Sequence, residues 1–323
     1  MALQIEVRRS SGTTTRISPE QFDDFEFHEG DHLAVTPSWQ AEDLPVSWGD
    51  RHVEVRPGLA FRVPETWRYF EFKGLKLPVH LVSLTGAGPE TFDRIGSAHI
   101  RNYERQMGLF PEMTFVDIGC GIGRDAFQLF DYLAQSGEYV GIDVTRDSIL
   151  WCQRNITPRD PRFTFHHFDA FSELYNPFGK KTTSDFLLPL ADGSVDRIGL
   201  ASVFTHLLED EVLHYMREFR RVLKPDGQVH ASFFLYTKEA IEAARTSGTT
   251  PWKATFDISL SPGVYANDPI YPRGAVAYGD DKMRSLMREA GLTTNRPFIK
   301  GGWSGLHGDA AEEGQDAVIL TRA

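Results

Sequence analysis

A chain of 323 residues with 41% hydrophobic and 24% charged side chains has the make-up of a soluble globular protein, long enough for one large domain or for one domain with a substantial extension. Its formal net charge of -11, with no Lys/Arg run longer than two residues, repels polyphosphate and argues against nucleic acid as a partner. No apolar run approaches the roughly 20 residues of a membrane span, the opening MALQIEVRRSSGTTTR lacks the apolar centre of a signal peptide, and Cys120 and Cys152 alone do not make a disulfide framework, so a cytoplasmic location is expected.

Residues 1 to 88 read as an irregular, β-rich extension. Short alternating stretches such as HVEVR (52–56) and YFEFK (69–73) are separated by Pro and Gly, which suits strands and turns. The zone is aromatic, with Trp39, Trp48, Phe61, Trp67, Tyr69, Phe70 and Phe72. Burial against the main domain or a second subunit is the simpler use for them, and a substrate lid or a carbohydrate-stacking surface the sharper one. From residue 89 to about 235, helical and strand patterns alternate, as a parallel sheet with crossover helices requires. A helix is expected from Glu90 to Met107. FVDIG (115–119), YVGID (139–143), FTFHHF (163–168), DRIGLA (196–201) and QVHASFFL (228–235) are the strands. RDAFQLFDYLA (124–134) and SILWCQRN (148–155) are helical, and KPDG (224–227) is a turn. In EDEVLHYMREFRRVL (209–223) the apolar Val212, Tyr215, Met216, Phe219, Val222 and Leu223 recur with helical period,. Beyond Tyr236 the chain is loop-rich and holds Trp252, Tyr265, Tyr271, Tyr278 and Trp303. DDKMRSLMREAG (280–291) is a helix ended by Gly291, and AVILTRA is the last strand,.

VDIGCGIGRDAF (116–127) places Gly119, Gly121 and Gly123 between a strand and a helix. Glycine lets a ligand sit directly on the backbone. A dinucleotide site wants G-x-G-x-x-G and a pyrophosphate on the helix N-terminus. Here Arg124 stands where the third glycine would be, and Asp117 is a poor neighbour for an anion but a good one for an ammonium group. S-adenosylmethionine carries an ammonium, a sulfonium, a ribose and an adenine. Further partners follow in order along the chain. Asp143 ends the second strand, where a carboxylate accepts ribose hydroxyls. Asp169 follows the third, where one accepts the adenine amino group. Ala201 and Ser202 follow the fourth, where the methyl would be presented. Each feature alone is a common turn or cap; four in register at the carboxyl ends of parallel strands point to one ligand.

VDIGCGIGR, YVGID, FDAF, LPLADGSVDRI and REFRRVLKPDG resemble the successive motifs of class I S-adenosylmethionine-dependent methyltransferases over roughly residues 89 to 235. The resemblance implies an α/β, Rossmann-like seven-stranded sheet of order 3-2-1-4-5-7-6, last strand antiparallel, over a domain of residues 89–323, with the extension ahead of it. It implies that Gly119, Gly121 and Gly123 line the methionine part, that Asp143 binds ribose and that Asp169 lies by adenine. Asp117, Cys120, Arg124, Val144, Ala170, Ala201 and Ser202 join them in the expected cofactor site. ASVFTHLLEDEVLHYM, with YNPFG ahead of it and GGWSG near the end, is similar to a bacterial small-molecule and glycan-type subgroup.

Methyl transfer is an in-line displacement at carbon, so alignment in a water-poor site does most of the work. A hydroxyl acceptor also needs a base. His206, just past the fourth strand, is the leading candidate, against a role in holding its loop. Glu209 and Asp210 read as helix N-terminal charges. Of His166 and His167 one should face the core and one outward. Asp169, Asp192 and Asp196 match no metal motif, and none is expected. The acceptor pocket is expected from His80 to Phe92, Tyr175 to Phe178, Val203 to Leu207, Phe233 to Tyr236, and Tyr278 with Trp303. The expected activity is methylation of a hydroxyl on a small molecule or glycan, with a homo-oligomer formed through the extension. The alternatives are a protein or RNA methyltransferase, a non-catalytic interaction module on the same fold, and, furthest off, an NAD-dependent oxidoreductase.

Overall fold

The computed structural model describes residues 3–9, 11–17, 32–37, 44–48, 51–55, 59–62, 69–247 and 254–323. Arg56, Trp39, Trp67 and Trp252, and the side chains of Trp48 and Phe61, lie outside this set. The chain divides into two compact units, Met1–Asp93 and Arg94–Ala323.

The first unit is built of antiparallel strands. Thr14–Ile17, Leu3–Arg8, His32–Pro37 and Leu59–Arg62 form one sheet in that spatial order. Leu44–Trp48 pairs with Arg51–Val55, and Tyr69–Phe72 pairs with Leu75–Pro78. The last hairpin turns through Lys73 and Gly74, both at positive φ (46° and 73°), as a two-residue loop between right-twisted strands demands. Phe70 and Phe72 meet the buried Phe92 edge-on, at 5.6 and 5.5 Å.

The second unit contains, after helix α1 (Pro89–Met107), strands β1 (Thr114–Ile118), β2 (Glu138–Asp143), β3 (Phe163–His167), β4 (Val195–Leu200) and β5 (Leu223–Tyr236). Helices α2 (Arg124–Leu129), α3 (Arg146–Asn155) and α4 (Glu209–Val222) connect them. These five strands are parallel in the order β3-β2-β1-β4-β5. Helix α5 (Lys238–Ser247), strands β6 (Ile258–Ser261), β7 (Val264–Ala266) and β8 (Val276–Gly279), helix α6 (Asp280–Glu289), and strands β9 (Leu292–Thr293) and β10 (Asp316–Arg322) complete the unit. β10 runs antiparallel on β5, and β9 pairs with the far side of β10. The sheet therefore has the expected order, with β10 and β9 in the places of strands 7 and 6.

Two features depart from expectation. KPDG is not a free turn: Val195 pairs with Leu223 and Arg197 with Gln228, so residues 224–227 bulge from a strand that continues on both sides. The sheet also forks. β5 pairs with β10 over Gln228–Phe233 and then with β8 over Phe234–Tyr236. β8, β7 and β6 form an antiparallel arm from what reads in sequence as loop, because each is only three or four residues long and carries too few side chains to show a period.

The strands read as apolar runs because helices cover the sheet. Val116, Ile118, Ile142, Ile198, Leu200, Val229 and Leu320 form one core with Val212, Tyr215, Met216, Phe219 and Val222 of α4. Each such side chain contributes about 1.5–3 kcal/mol by burial. Phe186 stacks on Tyr215 at 4.2 Å. Gly141, Asp117, Gly199 and His230 form one cross-strand row. A Cβ on Gly199 would stand 2.7 Å from Phe115 Cζ and 2.8 Å from Tyr103 Cζ. Gly199→Ala is accordingly expected to destabilise the protein by about 1–3 kcal/mol through overpacking, measured as a lowered Tm.

Candidate cofactor site and acceptor face

Gly119, Gly121 and Gly123 follow β1 with φ of 78°, 54° and 80°. All three are left-handed, which explains the alternate spacing: a residue with a Cβ pays about 1–2 kcal/mol there. The Gly119 N–H donates to the Ile142 carbonyl at 2.8 Å, and Gly123 caps α2. The loop is clamped from β2. Asp143 Oδ2 accepts the Gly121 N–H at 2.7 Å and Oδ1 accepts the Thr145 N–H at 2.6 Å. Burial pushes the Asp143 carboxyl up, against the pull of these two donors.

Asp117 is buried beneath the loop, and its Oδ2 accepts the Tyr139 hydroxyl at 2.6 Å. Burial, and then the neighbouring Asp125, push its carboxyl well above the usual range. Asp125, in the first turn of α2, is the opposite case. Burial alone would raise it, but His99 and Arg124 outweigh that and hold it low. His99 Nδ1 lies 3.0 Å from its Oδ2, Arg124 Nε lies 3.6 Å from its Oδ1, and the Tyr103 hydroxyl donates at 3.4 Å. His230 Nε2 and Glu313 Oε1, both buried, pair at 2.9 Å, and the His230 ring meets Tyr103 edge-on. A network of buried titratable groups thus backs the glycine loop. Sequence reasoning missed Asp125, His99, Tyr103, Tyr139, His230 and Glu313. The one available signal was Asp125 itself, an acid in the first turn of a helix otherwise apolar around it.

The remaining expected residues lie at the carboxyl ends of the parallel strands. Val144 is half-buried after β2, and its carbonyl accepts from His167 Nε2 at 3.1 Å. Asp169 is half-buried after β3, where the Asn176 amide donates to it at 3.2 Å and holds its carboxyl below the usual range. Ala170 is buried beside it, and Ala201 and Ser202 are half-buried after β4. Cys120 and Cys152 are free thiols, pushed well up by burial.

His206 lies in a short 3-10 turn after β4. Its Nδ1 is 2.9 Å from the Arg273 carbonyl, which only accepts, so the proton sits on Nδ1 and Nε2 carries the lone pair. Burial lowers the ring below the ordinary histidine range, so it is neutral at pH 7. Tyr175 meets it edge-on at 5.8 Å. Glu209 and Glu211 are engaged in structure: Glu209 with Lys282 and Ser261, Glu211 with the Leu208 N–H, Thr183 and Arg273.

His166 and His167 take opposite faces of the strand: His166 is exposed, and His167 is half-buried on the side of Phe163 and Phe165. One expectation is corrected: Tyr278 and Trp303 are not acceptor-facing. Tyr278 is fully buried and donates to the Leu207 carbonyl at 2.6 Å, and Trp303 packs on Phe234 and Phe256. Asp196 is taken up by the Thr114 N–H and Lys224, and Asp192 by Arg221.

Residues 116–231 match the family model described as "Methyltransferase domain". Arsenite methyltransferase of Aquipseudomonas alcaligenes is 30% identical over 117 residues, 36% of this chain and 31% of that protein. Cyclopropane mycolic acid synthase MmaA2 of Mycobacterium tuberculosis is 27% identical over 129 residues, 38% of this chain and 36% of that protein. The chain therefore spans about a third of the length of these curated relatives. Among solved structures, the PH0226 protein from Pyrococcus horikoshii OT3 aligns with a TM-score of 0.46 at 18% identity, over 73% of this chain and 92% of that one. The residues present suit S-adenosylmethionine: the loop backbone is bare at three glycines, and a buried carboxyl beneath it lacks a cationic hydrogen-bond partner among the described residues. Residues 116–231 thus match a methyltransferase-domain model and lie on a Rossmann-like sheet whose glycine loop suits S-adenosylmethionine.

Proposed function

We propose that this protein methylates a hydroxyl of a small molecule or glycan, with His206 as general base. The observation that carries the reading is the state of His206: half-buried, neutral, and held by the Arg273 carbonyl with Nε2 as the lone-pair nitrogen. A ring in that state accepts a proton from an acceptor hydroxyl as its oxygen becomes the nucleophile. The cofactor, when bound, supplies a methyl group on a sulfonium, a good leaving group. The chain's own part is positioning. Gly119, Gly121 and Gly123, with Cys120 and Arg124, receive the methionine part. Asp117 faces its ammonium, Asp143 and Val144 hold the ribose, and Asp169 and Ala170 flank the adenine. Ala201 and Ser202 lie where the methyl is presented. On the acceptor side, Tyr175 adjoins His206, and Phe171 and Phe178 of the same loop are 49% and 70% exposed, offering ring faces on which a sugar or planar acceptor stacks. Among the described residues no helix is long and apolar enough to cross a membrane. Two free, buried thiols suit work in the reducing cytoplasm.

Calorimetric titration with S-adenosylhomocysteine, with NAD in parallel, tests the cofactor; binding of the former alone is expected. A screen of sugars and glycosides then tests the acceptor. With an acceptor in hand, His206→Ala is expected to lower kcat by about 10²–10⁴-fold and to leave S-adenosylhomocysteine affinity unchanged. The parent should lose activity in acid only below the ordinary histidine range, because burial depresses this ring. Equal turnover in variant and parent would return His206 to loop support.

A further inference from the structure

GGWSG (301–305) and EEGQD (312–316) have no place in the cofactor site as read above, yet the fold brings them to it. Because β10 is antiparallel to the other core strands, its first residue is level with the carboxyl end of β5, with Asp316 opposite Phe233 and Ala317 opposite Ser232. The residues just before β10 therefore form a strap on the ligand-binding edge of the sheet. The strap is held firmly. The Asp316 carboxylate accepts the Leu235 and Gly301 N–H groups, both at 2.9 Å, and the Trp303 indole N–H. The Gly302 N–H donates to the Glu313 carbonyl at 2.8 Å. A Cβ on Gly301 would stand 2.2 Å from the Asp316 nitrogen, so the first glycine of GGWSG is what lets the strap lie this close.

Gln315 is the part of the strap that reaches the site. Its Oε1 accepts the Ser232 hydroxyl at 2.7 Å, and its Nε2 donates to Ser202 Oγ at 3.0 Å. The Ser202 N–H donates to Ser232 Oγ at 2.7 Å and closes a ring of three residues. Ser202 has φ of 62°, a left-handed conformation that serine takes only when its surroundings enforce it. Thr205 adds a bond from its Oγ1 to the Ser202 carbonyl at 2.9 Å. The next residue, Val203, is thereby laid against the glycine loop: a Cβ on Gly119 would come within 2.7 Å of Val203 Cγ2. The backbone angle of Ser202 thus sets the gap between the β4 turn and the loop after β1.

We propose that Gln315 is a positioning residue for the cofactor site, locking Ser202 left-handed so that the β4 turn forms one wall of that site. The proposal rests on the cofactor reading above. The test is calorimetric titration of folded variants with S-adenosylhomocysteine. Gln315→Ala is expected to weaken binding about 10-fold. Adding Ser202→Gly to that variant should restore affinity to within about 3-fold, because glycine takes positive φ without being held. Should the alanine variant fold poorly, Gln315→Met keeps the volume, removes both hydrogen bonds, and carries the same comparison with and without Ser202→Gly. Parent-like affinity in the Gln315 variants overturns the proposal. So does a loss that glycine at 202 fails to restore, since Gln315 would then act through general stability. If the parent itself binds no S-adenosylhomocysteine, the cofactor reading falls first and takes this one with it.

Discussion

Asp143→Ala is expected to abolish measurable S-adenosylhomocysteine binding and to lower stability by about 2–4 kcal/mol, or roughly 5–15 °C in Tm. Two losses coincide. The carboxylate is the acceptor for the Gly121 and Thr145 N–H groups at 2.7 and 2.6 Å, and an alanine leaves both donors buried without partners. The glycine loop then loses its tie to β2, and the proposed ribose contact goes with it. Thermal melting and calorimetry of the one variant read the two effects separately. A variant that melts like the parent would mean that the loop does not depend on Asp143. A variant that binds like the parent would remove Asp143 from the site.

Asp117→Asn should do the reverse to stability. Burial, then Asp125, pushes the Asp117 carboxyl well above its usual range, so the ionised form is disfavoured in the fold. A group whose folded pKa is raised contributes stability in full below its unfolded pKa and loses that contribution as pH rises through the folded value. The neutral amide, whose oxygen still accepts the Tyr139 hydroxyl, has no ionisation for burial to oppose. The ligand-free variant is expected to be about 1–2 kcal/mol more stable than the parent, with the advantage shrinking toward acid. S-adenosylhomocysteine should bind about 10- to 100-fold more weakly, because the charge proposed to face its ammonium is gone. Higher Tm with weaker binding is the signature of a carboxylate kept for function at a cost in stability. Lower Tm, or unchanged affinity, would show that Asp117 is structural.

Which parts of the proposed site were legible follows from how far apart its partners lie in the chain. The glycine loop, Asp143, Asp169 and Ser202 each sit at or just after the end of a strand, and strand ends are readable from apolar runs. The proposed base His206 was singled out for the same reason, as a polar residue soon after β4. The pairs that back or brace the site were not. His99 and Asp125 are 26 residues apart, His230 and Glu313 are 83 apart, and Gln315 and Ser202 are 113 apart. Each is an ordinary polar residue in its own window, and nothing local says what it will meet.

The parallel core and the glycine loop at its carboxyl edge could be read from the residues, since buried strands must be apolar, crossover helices must be amphipathic, and a loop with three left-handed residues must be glycine. The fork of β5 toward two partners, the interior places of Tyr278 and Trp303, and the meeting of Gln315 with Ser202 through the antiparallel course of β10 could not be read that way. Those outcomes turn on strand direction and register, which set side chains far apart in the chain against one another and leave no mark on the residues beside them.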